Sequence, residues 1–63
     1  MNKLSNFQKA KLLNQIYKKA KMFKDDDDKI YIFDLLKTMV SKLSLEPKEL
    51  ETAIKNIALY LKL

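Results

Sequence analysis

No glycine occurs anywhere in this chain of 63 residues, and proline occurs once, at Pro47. The tight turns of β-hairpins need residues with positive φ, a conformation that glycine adopts most readily, and neither Asn-Gly nor Asp-Gly is present. Leucine and lysine, which both favour helices, are by contrast abundant. The sequence therefore predicts an all-α protein.

The apolar residues of the first third recur on one side of a helix. Ser5 and Gln8 have the spacing of a capping box, which predicts a helix start near Ser5. We expect this helix to end near Lys24, because lysines suit the negative end of the helix dipole and the following aspartates do not. Its apolar stripe, on a 3.6-residue period, comprises Ala10, Leu13, Ile16, Tyr17, Ala20 and Phe23, with Leu12 beside it.

Two further helices are predicted after the four aspartates of residues 25–28, which we interpret as an acidic connection in which Asp27 or Asp28 caps the next helix. The second helix covers about residues 29–43. The third covers about residues 47–61, with Pro47 at the first position, where proline is tolerated. Their apolar faces are Ile32, Phe33, Leu36, Met39, Val40 and Leu43 in the second, and Leu50, Ala53, Ile54, Ile57, Ala58 and Leu61 in the third. Three such helices predict a single-domain three-helix bundle over residues 1–63, with a homodimer left open.

The first 24 residues contain seven lysines and no acid, and the chain as a whole has a net charge of +5. Lys11, Lys18, Lys19 and Lys21 are predicted to form a basic face on the first helix. Such a face indicates an anionic partner, which is an acidic protein, a nucleic acid or a lipid surface. The alternative is that an AT-rich genome, which favours lysine codons, accounts for the excess. The complete absence of arginine, the residue suited to bidentate phosphate recognition, favours that alternative.

The sequence lacks the residues that several kinds of catalysis and metal binding require. Without cysteine the chain has no thiol nucleophile and no disulfide, and without histidine it lacks the commonest metal ligand. An EF-hand loop starting at Asp25 would place Lys29 and Leu36 at positions that must supply metal ligands. No glycine-rich loop or serine triad pattern is present. We therefore expect a non-enzymatic protein with no catalytic residue, no cofactor and no metal site.

Four large side chains, Tyr31, Leu35, Leu59 and Leu63, fall outside the predicted core and are our candidate partner contacts. Surplus apolar residues on a domain this small indicate dimerisation or docking, although scattered surface leucines are also normal. By elimination we expect a small protein-protein interaction module. It would be a regulator, inhibitor or adaptor of bacterial, plasmid or phage type that contacts another protein, or a second copy of itself, through its helix faces.

The alternative function is a basic regulator that binds nucleic acid. Residues 37–55 resemble a helix-turn-helix in which Ser44 stands where glycine is usual. The residues at spacings like its buried positions are Met39, Leu43, Leu45 and Leu50. That resemblance implies that the third helix would enter a DNA groove. The sequence departs from the pattern at Val40, where a small residue is normal. It departs again at Glu46, Glu49 and Glu51, whose charges oppose a phosphate-lined groove.

The remaining sequence features concern location and proteolysis. The longest apolar run, at positions 57–61, is far too short to span a membrane, and no signal peptide is visible, so we expect a cytoplasmic protein. A membrane surface is a disfavoured partner, because the chain has no tryptophan and the aspartates oppose an anionic surface. Residues 25–29 are identical to the cleavage sequence of enteropeptidase, which we interpret as coincidence.

Overall fold

The computed structural model describes residues 4–63, which form three α-helices and contain no β-strand. Helix α1 spans Asn6–Met22, α2 spans Lys29–Ser41 and α3 spans Pro47–Leu61. The prediction of an all-α protein with three helices is confirmed. The observed helix ends lie within two residues of the predicted ones.

The start of α1 has the predicted capping box. The N–H of Gln8 donates to Ser5 Oγ at 3.1 Å, and the N–H of Ser5 donates to Gln8 Oε1 at 3.0 Å. These two bonds satisfy amides that have no partner within the helix. A related contact precedes α3, where the N–H of Glu46 donates to Glu49 Oε1 at 3.4 Å.

The start of α2 differs from the expectation that an aspartate side chain caps it. Asp28 is the residue that precedes the helix, but its carboxylate makes no capping hydrogen bond. Its N–H instead donates to Asp26 Oδ1 at 2.8 Å. The run therefore organises itself as a turn, since an aspartate side chain readily accepts from the amide two residues later.

Two residues other than glycine, each just after a helix, adopt left-handed backbone conformations. Ser44, with φ of 57°, lies between α2 and α3, and Lys62, with φ of 60°, follows α3. The sequence comparison placed Ser44 where a helix-turn-helix carries glycine, and its left-handed conformation explains why glycine would suit that position.

The buried core takes residues from all three helices and from the turn after α2. Phe23 and Met39, both expected on apolar stripes, are instead exposed at the edges of their helices, and Ala10 is exposed as well. Leu45, expected in the turn and at a buried position of the helix-turn-helix resemblance, packs against the core. The buried side chains are Ile16, Ala20, Leu36, Val40, Leu43, Ala53, Ile57 and Leu61.

Contacts between the helix ends define an up-down-up arrangement. Tyr17 of α1 meets Tyr60 of α3 edge to face, with ring centroids 5.2 Å apart, and Asn56 Nδ2 donates to the hydroxyl of Tyr17 at 3.3 Å. Near the other end, Lys9 Nζ of α1 donates to the carbonyl oxygen of Ser44 at 3.2 Å. Helices α1 and α3 are therefore parallel, and α2 runs antiparallel to both.

Candidate partner-binding surface

An open apolar groove lies between α1 and α2, on the side facing away from α3. Ile16 and Leu43 are almost fully buried at its floor, and Leu12 and Met39 form its half-exposed walls. Its volume is about 260 Å³. A dry apolar cavity of about 150 Å³ holds a benzene molecule. The α1–α2 groove therefore has room for more than one apolar side chain.

The rim of the α1–α2 groove is polar and cationic. Gln15 and Lys19 border it on α1, and Lys42 borders it just beyond the end of α2. No acidic side chain is among the residues that line it. A ligand in this groove would therefore meet apolar walls and positive charge together.

The apolar surface continues along α2 beyond the groove. Tyr31, Leu35 and Met39 follow one another at four-residue spacing, which places them on one side of the helix. Their exposed fractions are 65%, 47% and 42%. Two of the predicted contacts, Tyr31 and Leu35, thus belong to the same helix side as a wall of the groove.

The other two predicted contacts lie elsewhere. Leu59 is 71% exposed and follows Glu51 and Lys55 at four-residue spacing, on the solvent side of α3. Leu63 is exposed beyond the left-handed residue Lys62, where the chain has left the helix. The structure therefore does not gather Leu59 and Leu63 onto the α2 side that carries Tyr31 and Leu35.

All four predicted basic-face lysines of α1 are exposed, and they spread over about half of the helix circumference. Lys11 and Lys18 occupy the middle of this face, and Lys19 stands at its α2 edge beside the groove. At the α3 edge, Lys21 Nζ lies 4.7 Å from the centroid of the Tyr60 ring, a cation–π contact. Only Lys19 of the four is part of the groove rim.

Sequence analysis missed the groove because its residues follow the core pattern. Leu12 flanks the α1 stripe, and Met39 is within the α2 stripe, so the pattern marks neither of them as a partner contact. The available signal was the width of those stripes, which exceeds what two neighbouring helices can cover. Phe7, near the start of α1, is strongly exposed and does not line the groove.

The acidic connection of residues 25–28 is charged, but its side chains are not arranged as a binding site. Lys24 Nζ lies 3.0 Å from Asp25 Oδ2. The hydrogen bond and positive charge of Lys24 lower the pKa of the Asp25 carboxyl below its usual value. Within residues 4–63, no three acidic side chains converge in an arrangement that could hold a metal ion.

A second concavity, of about 200 Å³, lies between the start of α1 and the turn that precedes α3. Asn6, Lys9, Glu46 and Glu49 are among its lining residues, so both signs of charge are present. The hydrogen bond from Lys9 to Ser44 joins two of its lining residues. This concavity therefore has a mixed lining, with apolar side chains from Ala10, Leu13 and Leu45 beside charges of both signs, whereas the α1–α2 groove has charge of one sign only.

Comparisons of the chain with protein-family models, with curated proteins and with solved structures found no match. Among the described helices, none has both the length and the apolar character required to cross a bilayer.

Proposed function

We propose that this protein is a small non-catalytic interaction module that docks a protein partner in the α1–α2 groove, acting as a regulator, inhibitor or adaptor. The observation that carries the proposal is the groove itself, in which Leu12 and Met39 remain half exposed over a buried floor of Ile16 and Leu43. A concave apolar surface with a polar rim is the usual form of a helix-binding site.

Burial energies set the expected strength of this docking. Covering a fully exposed large apolar side chain contributes about 1.5–3 kcal/mol. Leu12, Tyr31, Leu35 and Met39 are each about half exposed, so together they offer roughly 4 kcal/mol from this side of the contact. Association costs at least about 4 kcal/mol, so the partner must add apolar and charged contacts of its own. We therefore expect a transient interaction whose strength is set largely by the partner.

DNA binding by α3 is the competing function. The left-handed Ser44 between α2 and α3 fits the turn of a helix-turn-helix. However, Glu46, Glu49 and Glu51 are all exposed at the start of α3, and three carboxylates facing phosphates are repulsive. We therefore favour a protein partner and expect no mobility shift of duplex DNA at low salt. A shift that disappears when Lys11, Lys18 and Lys19 are replaced together by alanine would favour the nucleic-acid function.

A matched pair of double variants tests the groove. Leu12→Ser with Met39→Ser removes both walls, whereas Met22→Ser with Ile30→Ser removes apolar side chains of similar size at exposed positions outside it. Each tagged protein is used to capture partners from a lysate of the native host, with quantitative mass spectrometry and circular dichroism as the check on folding. We expect a specific partner to be retained by the control pair and lost by the groove pair. Equal recovery by both variants would refute docking in the groove.

A further inference from the structure

We infer that the occupant of the α1–α2 groove is an amphipathic helix whose apolar face is flanked by acidic residues. This inference rests on the proposed function and adds the chemistry of the partner. It follows from three features of the described residues, which are the charge around the groove, the shape of the groove and the faces that a second copy could offer.

The charge around the groove has one sign. Lys19 borders it on α1 and Lys42 on the α2 side, and the whole segment from residue 4 to residue 24 contains no acid. The single acid of α2, Asp34, is five residues before Met39, which places it about 140° around the helix from that wall. A carboxylate beside the apolar face of a partner would therefore meet Lys19 and Lys42 at the groove. Acids lie farther out, with Asp34 about 60° from Tyr31 around α2 and Glu46 near Lys42. Charge complementarity of this kind selects partners and accelerates their association.

The shape of the groove suits a helix. Its two walls are helices that run antiparallel, and a fourth helix laid between them would complete the arrangement of a four-helix bundle. Helix α2 contains 13 residues and is thus about 20 Å long. A partner helix of about 14 residues would cover the groove and the continuation formed by Leu35 and Tyr31.

A second copy of the chain fits less well. Its cationic helix α1 would bring further lysines to Lys19 and Lys42, and like charges in contact are repulsive. Its acidic stretch, Glu46–Glu51 at the start of α3, has no exposed apolar stripe, because Leu50 is partly buried in its own core. Exposed apolar and acidic residues do meet in the first half of α2, at Ile30, Tyr31 and Asp34, so a second copy is the other occupant to be tested, and light scattering of the protein without peptide tests it.

Three synthetic helical peptides of about 14 residues test the inference. All have leucines on one face and capped ends, and their flanking positions are glutamate, glutamine or lysine. Titration into the isotopically labelled protein, followed by NMR, gives both the affinity and the site. We expect the glutamate peptide to bind most tightly, to shift the methyl signals of Leu12, Ile16, Met39 and Leu43, and to weaken as salt is added.

Charge-reversal variants distinguish the effect of the lysines beside the groove from the effect of the protein's net charge. Lys19→Glu with Lys42→Glu should weaken the glutamate peptide about tenfold and make the lysine peptide the preferred one. The control, Lys48→Glu with Lys55→Glu on α3, changes the net charge equally and should alter the affinity less than about twofold.

Three results would overturn the inference: equal affinities for the three peptides, methyl shifts confined to another face, or equal losses in the two charge-reversal variants. Equal peptide affinities at the groove would show that the partner need not be acidic, but the groove would still be a docking surface. The proposed function fails separately, through equal partner recovery by the two serine double variants.

Discussion

The end of α3 offers a sharp test of the backbone argument, because Lys62 adopts the left-handed conformation that glycine prefers. Its φ and ψ are 60° and 45°. The N–H of Lys62 donates to Leu59 O and the N–H of Leu63 donates to Ala58 O, both at 3.0 Å, which is the pattern of a Schellman motif. The helix end therefore depends on a conformation that costs a residue with a β-carbon about 1–2 kcal/mol.

Replacing Lys62 by glycine removes that cost. It also introduces an opposing cost of about 0.5–1 kcal/mol, because glycine loses more conformational entropy on folding than other residues do. We expect Lys62→Gly to raise the free energy of unfolding by about 0.5–1 kcal/mol. In a domain of this size that corresponds to a melting temperature about 2–8 °C higher. Urea denaturation and thermal unfolding, both followed by circular dichroism, measure the change.

Lys18→Gly is the matched control, because Lys18 is exposed in the middle of α1 and the two substitutions remove the same charge and the same side chain. Glycine inside a helix should lower the free energy of unfolding by about 1 kcal/mol, so the two variants should move in opposite directions. Destabilisation of similar size in both would show that the left-handed residue at the end of α3 is not a source of strain.

Three shorter predictions concern the core and the acidic connection. Ile57 is fully buried, so Ile57→Ala should cost about 2–5 kcal/mol, a large part of a total of roughly 3–9 kcal/mol, and denaturant unfolding will measure it. Enteropeptidase should cut after Lys29 far more slowly in the native protein than in that variant, as mass spectrometry will show, because the bond lies in the first turn of α2. The lowered pKa of Asp25 means that its contribution to stability is present above the carboxyl's unfolded pKa and is lost as the pH falls through the folded value. Lys24→Gln should raise that pKa in a carboxyl NMR titration.

The helices could be predicted from the sequence because their signals are local. The side chains of Ser5 and Gln8 accept hydrogen bonds from each other's backbone N–H within one turn. Within a helix, proline is tolerated only in the first turn, which is where Pro47 lies. The fate of Leu45 and Met39 could not be predicted in the same way. Leu45 packs inward because the turn brings it beneath α1 and α3, and Met39 faces solvent because no third helix covers that side of α2. Both outcomes depend on how the helices pack, which periodicity within one helix does not encode.

The same limit applies to the candidate surface. Exclusion from the stripes correctly marks Tyr31, Leu35, Leu59 and Leu63 as exposed. It gives no information on which of them are neighbours, since that depends on the rotation of α2 and α3 about their axes. Selecting only residues outside the stripes also overlooks Leu12. A residue at the edge of a stripe looks like part of the core until the position of the neighbouring helix is known.

The α1–α2 and α1–α3 seams differ in their side chains. Tyr17 and Tyr60 pack two rings into the C-terminal half of the α1–α3 seam, where Asn56 hydrogen-bonds to one of them, and a concavity remains beside Leu13 and Thr52 in its other half. Opposite them, the α1–α2 groove is lined by the aliphatic and thioether side chains of Leu12, Ile16, Met39 and Leu43, with no aromatic ring among its lining residues.

An aromatic residue at Met39 would therefore be expected to close the groove and stabilise the isolated domain, because covering apolar surface contributes about 25 cal/mol for each Å². If the groove is a docking surface, Met39→Phe should raise the free energy of unfolding and weaken the glutamate peptide together. A variant that gains stability and keeps full affinity for that peptide would place the partner on another face, and the openness of the α1–α2 seam would then be only the consequence of a small core.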